Sequence, residues 1–139
     1  MTSAPVLNLN LNIKEFYVGK SILITGTTGF LGKILLEKVL RDLKGYRNIY
    51  LMIRNKPKRT LQQRLMGEIL GSKLFQPLFT ERPEILEVVK ERVIPVYGDL
   101  CLEGLGLDPK DRQMLIDDVD VIMNGAASVN FMEPFRDAI

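Results

Sequence analysis

The chain has 139 residues, of which 46% are apolar and 26% charged; 19 Lys and Arg face 17 Asp and Glu, for a formal net charge of +2. That is the size and balance of one ordinary globular domain, and it excludes a charged disordered tail, a collagen-like repeat and a disulfide scaffold. There is no His and one cysteine, Cys101, so a His-based triad, a His-ligated zinc site, a His general base and an internal disulfide are all excluded within this sequence.

In chain order, Met1 to Lys14 is polar and lacks a basic stretch followed by an apolar run, so it does not read as a secretory signal. No apolar stretch is long enough to span a bilayer. Ser21–Thr25 is a short apolar run ending at a glycine, as in a strand buried on both faces. A helix is expected next, with Leu31, Ile34, Leu35, Val39 and Leu43 on one face and Gly45 as its cap. Ile49–Ile53 reads as a second buried strand. Thr60 and Gln63 have the spacing of a capping box, and Leu61, Leu65 and Ile69 follow at helical period until Gly71 and Pro77 break it. A helix over Pro83–Glu91, a strand over Val93–Tyr97, a helix opened by Asp108-Pro109, and a strand over Val119–Met123 complete the pattern. Pro95 fits its strand only where its missing N–H has no partner to meet.

Strands alternating with helices imply right-handed crossovers and a parallel sheet. The expected fold is a Rossmann-like, doubly wound α/β sheet with about four strands in the order 3-2-1-4. Residues 1–139 form one domain in this reading, incomplete at its C-terminus, with residues 55–92 as an extra helical insertion. The strand over Val119–Met123 would then be an exposed edge.

Gly26-Thr27-Thr28-Gly29-Phe30-Leu31-Gly32 joins the first strand to the first helix. Glycines at this spacing serve a tight turn, close approach of backbone to a pyrophosphate, and close helix–strand packing. The helix start supplies free N–H groups and a positive dipole end. Strand, glycine turn and apolar helix together make this a dinucleotide-binding signature.

The end of the second strand bears on cofactor choice. Where an NAD site carries an acid for the ribose hydroxyls, this chain has Arg54, and no acid is near it in sequence. Arg54 suits the 2′-phosphate of NADP, with Lys56, Lys58 or Arg59 in support. That gives the basic run a local role and makes nucleic acid the weakest candidate partner. Gly98-Asp99-Leu100 follows the third strand, where Asp99 serves either the adenine or its own turn. Asn124-Gly125-Ala126-Ala127 follows the fourth, where small residues permit either cofactor approach or close packing. Asp117, Asp118 and Asp120 read as a solvated turn rather than a metal site.

The Thr25–Gly32 motif, Asp99-Leu100 and Asn124–Ala127 resemble the extended short-chain dehydrogenase/reductase superfamily. Glu15-Phe16-Tyr17, Leu36–Arg41, Tyr50–Arg54, Gly104–Leu107 and Ala126–Phe131 narrow this. Together they are similar to the NAD(P)-binding part of alcohol-forming fatty acyl-CoA reductases, over nearly the whole chain. The resemblance implies NADPH as cofactor and two successive hydride transfers that convert a fatty acyl-CoA to a fatty alcohol with release of CoA. It carries cofactor contacts onto Thr25, Gly26, Thr28, Gly29, Phe30, Leu31, Gly32, Arg54, Asp99, Leu100, Ala126 and Ala127.

It also implies an intracellular protein at the cytosolic face of a peroxisomal or endoplasmic-reticulum membrane, attached through segments not in this sequence. The family's catalytic Tyr-x-x-x-Lys pair is absent: four residues after Tyr17, Tyr46, Tyr50 and Tyr97 stand Ser21, Tyr50, Arg54 and Cys101. Catalysis is therefore expected to lie outside these residues. A non-catalytic NADP-binding module, or an extended reductase for another substrate, is the alternative.

Overall fold

The computed structural model describes residues 12–128 and 132–134. Its four strands, β1 (Ile22–Thr25), β2 (Ile49–Ile53), β3 (Val93–Tyr97) and β4 (Val121–Asn124), form a parallel sheet in the order β3-β2-β1-β4. The helices are α1 (Ile13–Phe16), α2 (Phe30–Asp42), α3 (Leu61–Gln63), α4 (Gln76–Glu81), α5 (Pro83–Arg92) and α6 (Pro109–Asp118). A π-helix over Arg64–Ile69 continues α3, and a short turn covers Glu103–Gly106.

The period-two alternation of strand side chains splits the core in two. Ile22, Ile24, Ile49, Leu51, Ile53 and Val93 face Leu36, Val39 and Leu40 of α2 and Phe75, Leu78 and Val89 of the 61–92 helices. Leu23, Tyr50, Met52 and Val96 face Leu115 of α6 on the other side. Full burial of each large apolar side chain contributes up to about 1.5–3 kcal/mol. β1 and β2 are covered on both faces, whereas Ile122 in β4 remains 66% exposed.

The expected helices and strands are present with shifted ends. α2 stops at Asp42 with Leu43 extended, and Gly45 takes its left-handed backbone (φ 72) two residues later. The Thr60–Gln63 capping box forms in both directions, and Asp108 caps α6 over Pro109. Pro77 opens α4 instead of only ending a helix, because proline fits a first helical turn, whose N–H is unpaired anyway. β3 pairs only with β2 among the described strands, so Pro95 sits on a sheet edge. β4 begins two residues later than expected, since Val119 caps α6.

Asp118 and Asp120 correct the expectation of a solvated turn, whereas Asp117 is exposed as expected. Asp118 accepts from Ser21 Oγ at 2.7 Å, Tyr50 Oη at 2.7 Å, Asn48 Nδ2 at 3.0 Å and Arg47 Nε at 2.7 Å. Asp120 accepts from the Ser21 N–H at 2.9 Å and Arg47 Nη2 at 3.1 Å. Together they tie α6 and β4 to the starts of β1 and β2. No group of three metal-ligating side chains occurs among the described residues.

Candidate dinucleotide site

Parallel register carries every strand end to one edge. Thr25 stands beside Met52 and Asn124, and Ile53 beside Tyr97. The next residues, Gly26, Arg54, Gly98 and Gly125, therefore meet at the C-terminal edge. Sequence order reverses there between β2-β1 and β1-β4, which is where ligands bind in open α/β sheets.

Gly26 turns the chain with φ 80, and a Cβ on it would lie 2.6 Å from the Ala126 nitrogen. A Cβ on Gly32 would be driven into the Gly26 carbonyl, so α2 starts closer to the turn than any side chain permits. Gly29 is open by comparison: a Cβ there meets only the Gly26 oxygen, at 3.4 Å. It is the N-cap of α2 and offers no side-chain cap, leaving the first-turn N–H groups directed outward. Thr27 is fully buried below the turn, with a hydroxyl that has no partner among the described residues. Phe30 and Leu31 begin α2 at 83% and 68% exposure.

Thr25 is buried and donates its hydroxyl to Asn124 Oδ1, so its side chain locks β1 to β4. Gly125 and Ala126 pack against Gly26, while Ala127 is exposed. An open cleft of about 430 Å³ is lined by Thr28, Arg54, Asn55, Lys56, Arg64, Tyr97 and Asp99. Asp99 does two things at once: it lines the cleft, and its Oδ1 accepts the Cys101 N–H at 2.9 Å in a local turn. Leu100 lies exposed beside it, outside the lining.

The basic run is not the free set of cations that the sequence suggested. Arg54 makes no ion pair among the described residues, but Lys56 and Arg59 pair with Glu68 at 3.4 and 2.9 Å. Lys58 is exposed with φ 65. Sequence reading found no acid near Arg54 because Glu68 arrives from the π-helix, 12 residues after Lys56. Hydrogen bonds from Arg64 bring the Glu68 carboxyl down to about 2, against its desolvation and with help from Lys56.

Asn55, Arg64 and Tyr97 line the cleft but are not among the cofactor contacts expected from the sequence. Arg64 could have been found from the capping box, which fixes the helix start four residues earlier and turns that position back toward the end of β2. Tyr97 could have been found as the last residue of its strand.

The residues present fit a dinucleotide. The turn brings backbone close, Gly29 leaves room above an uncapped helix start, and a cation stands at the end of β2. The fold and this site define a Rossmann-type dinucleotide-binding domain. Residues 24–139 match the NAD-binding family described as "Male sterility protein", and the chain belongs to that family.

Fatty acyl-CoA reductase 1 of Mus musculus is 43% identical over 129 residues, covering 93% of this chain and 24% of that protein. Chloroplastic fatty acyl-CoA reductase 2 of Arabidopsis thaliana is 39% identical over 130 residues, covering 93% and 21%. The chain thus spans about a quarter of the length of the curated relatives it matches. Among solved structures it is similar to the terminal R domain from the myxalamid PKS-NRPS biosynthetic pathway. The TM-score is 0.66 with 32% identity, over 87% of this chain and 28% of that one. The reductase domain of a non-ribosomal peptide synthetase from Mycobacterium tuberculosis gives 0.60 and 31%, over 80% and 25%.

Proposed function

We propose that this chain is the NADPH-binding portion of a fatty acyl-CoA reductase, a protein that reduces a long-chain acyl-CoA to a fatty alcohol and releases CoA. The observation that carries the cofactor choice is Arg54: without an ion pair among the described residues, at the end of β2, in one cleft with Thr28, Arg64 and Asp99. The bound dinucleotide supplies hydride. The first-turn N–H groups of α2 and the backbone at Gly29 hold its pyrophosphate. Arg54 takes the 2′-phosphate, and Asp99 and Tyr97 border the adenine. Gly26, Gly32 and Ala126 keep the floor of the site close enough for those bonds. Thr25 acts by fixing β4, and Phe30, Leu31, Leu100 and Ala127 line the approach.

Ile116 and Ile122 are 57% and 66% exposed beside an edge strand. That apolar surface supports a domain completed by further chain. The 55–92 helices form a lobe inserted within this same domain. A peroxisomal or endoplasmic-reticulum membrane location belongs to the same reading. No helix among the described residues is long and apolar enough to cross a membrane.

Arg54→Asp in the full natural chain is expected to weaken NADPH binding by about 30-fold while changing NADH binding far less, as read from nicotinamide fluorescence titrations. Equal loss for both dinucleotides removes the selector role. Acyl-CoA-dependent NADPH oxidation tests the reaction, and its absence from the full protein overturns it.

A further inference from the structure

The basic run after β2 is organised around one carboxylate that does not line the cleft. Lys56 and Arg59 close a tight turn, in which the Arg59 N–H donates to the Lys56 carbonyl at 3.3 Å. The turn returns both cations to the same side. There Glu68 Oε1 accepts from Arg59 Nη1 at 2.9 Å and Lys56 Nζ at 3.4 Å. Glu68 Oε2 accepts from Arg64 Nε at 3.2 Å and Nη2 at 2.9 Å. Arg64 Nη1 donates to the Arg54 carbonyl. Lys56 and Arg64 line the cleft beside Arg54. Arg64 and Glu68 both belong to the π-helix Arg64–Ile69, a rare form that recurs at functional sites.

We infer that Glu68 is a positioning residue for dinucleotide selectivity, holding Arg64, Arg59 and Lys56 beside Arg54 so that the cleft is set for a 2′-phosphate. This rests on the NADPH reading above and deepens it. A guanidinium has five N–H donors. Glu68 takes two from Arg64 and the Arg54 carbonyl takes a third. Arg64 is thus aimed before any ligand arrives, with donors still to give. Without the carboxylate, the five cations Arg54, Lys56, Lys58, Arg59 and Arg64 crowd one short stretch and repel each other. Lys56 and Arg59, whose side chains are about half exposed, swing into water.

Removing Glu68 also makes the cleft more positive, which by itself favours a phosphate. At an open site that gain is screened by salt, whereas a held, charge-assisted contact is lost outright. The net expectation is weaker NADPH binding.

The test is titration of the full natural chain and its Glu68→Gln and Glu68→Asp variants with NADPH and with NADH. Glu68→Gln is expected to weaken NADPH about tenfold and NADH less than about twofold, with Glu68→Asp recovering part of the loss. Equal loss for both dinucleotides assigns Glu68 to stability alone and overturns the inference. Tighter NADPH binding overturns it in the other direction, as competition between carboxylate and phosphate. A wild-type chain with no NADPH preference sinks the NADPH reading and this inference together; a preference that Glu68→Gln leaves unchanged sinks only this one. Should Glu68→Gln bind neither dinucleotide, Arg59→Ala carries the test from the exposed side of the cluster. It is expected to cost about threefold for NADPH alone, and an unchanged or equally shared loss overturns the inference.

Discussion

The two ends of the sheet follow opposite rules. At the N-terminal end, Ser21, Arg47, Asn48 and Tyr50 converge on Asp118, and Ser21 and Arg47 also reach Asp120. At the C-terminal end, α2 starts without a side-chain cap, Arg54 has no ion pair among the described residues, and Phe30 and Leu31 stand in solvent. One end is closed by the chain's own side chains. The other keeps donors and apolar surface open in a rigid frame. A βα turn can remain unsatisfied because the opposite edge holds the strands in register, so that a ligand completes bonds without reorganising the sheet.

The strongest way to break this comparison is to fill the open end. Gly32→Val forces a branched side chain into the Gly26 carbonyl and separates α2 from the turn. It is expected to destabilise the domain by about 3 kcal/mol and abolish NADPH binding, measured by chemical denaturation and by titration. A stable variant that binds normally would show that the close approach is not needed.

Breaking the closed end should cost stability and spare the ligand. Asp118→Ala leaves Tyr50, Asn48 and Ser21 without their shared acceptor and is expected to cost about 2 kcal/mol, with dinucleotide affinity little changed. The same site shapes the pH dependence. Burial pushes the Asp118 carboxyl up, but hydrogen bonds from Asn48, Ser21 and Tyr50 and the Arg47 charge outweigh it and bring the carboxyl down from 3.8 to about 2. The unfolded chain therefore takes up the proton first. This stabilisation is present above about pH 4 and is lost as pH falls toward 2.

Burial, with the bond to Asp118, pushes the Tyr50 phenol up from 10.0 to about 12. Its contribution is present below about pH 10 and is lost as pH rises through that window. Denaturation midpoints across pH check both limbs, and Asp118→Asn is expected to flatten the acid one. The smallest effect expected is that of Thr60→Ala, which removes the acceptor of the Gln63 N–H, the 3.1 Å bond of the capping box, and leaves in place the 2.9 Å bond from the Thr60 N–H to Gln63 Oε1. It should cost about 1 kcal/mol, read as a lower melting temperature.

How much could be read in advance follows the range of the forces. Strand positions Ile49–Ile53 and Val93–Tyr97 were legible residue for residue, because continuous apolar runs bounded by turns have one economical solution. The glycine turn was legible because Gly26 and Gly32 answer to contacts made within their own βα unit or at the next strand end. The π-helix was not, since nothing in Arg64–Ile69 separates a five-residue from a four-residue hydrogen-bond step. The solvated turn expected there failed at Asp118 and Asp120 because their partners are distant, with Arg47 71 residues from Asp118 and Ser21 97.

By itself the sequence determined the alternation of strands and helices, the dinucleotide turn and the cation at the end of β2, since each rests on side-chain periodicity or backbone sterics acting over a few residues. Only the tertiary structure decided which charges are free. It drew Lys56 and Arg59 onto Glu68, left Arg54 without an ion pair among the described residues and joined Asp118 to three residues around β2. The reason is physical: ion pairs depend on distances of 3 to 4 Å, and those are set by how whole elements pack, not by spacing along the chain.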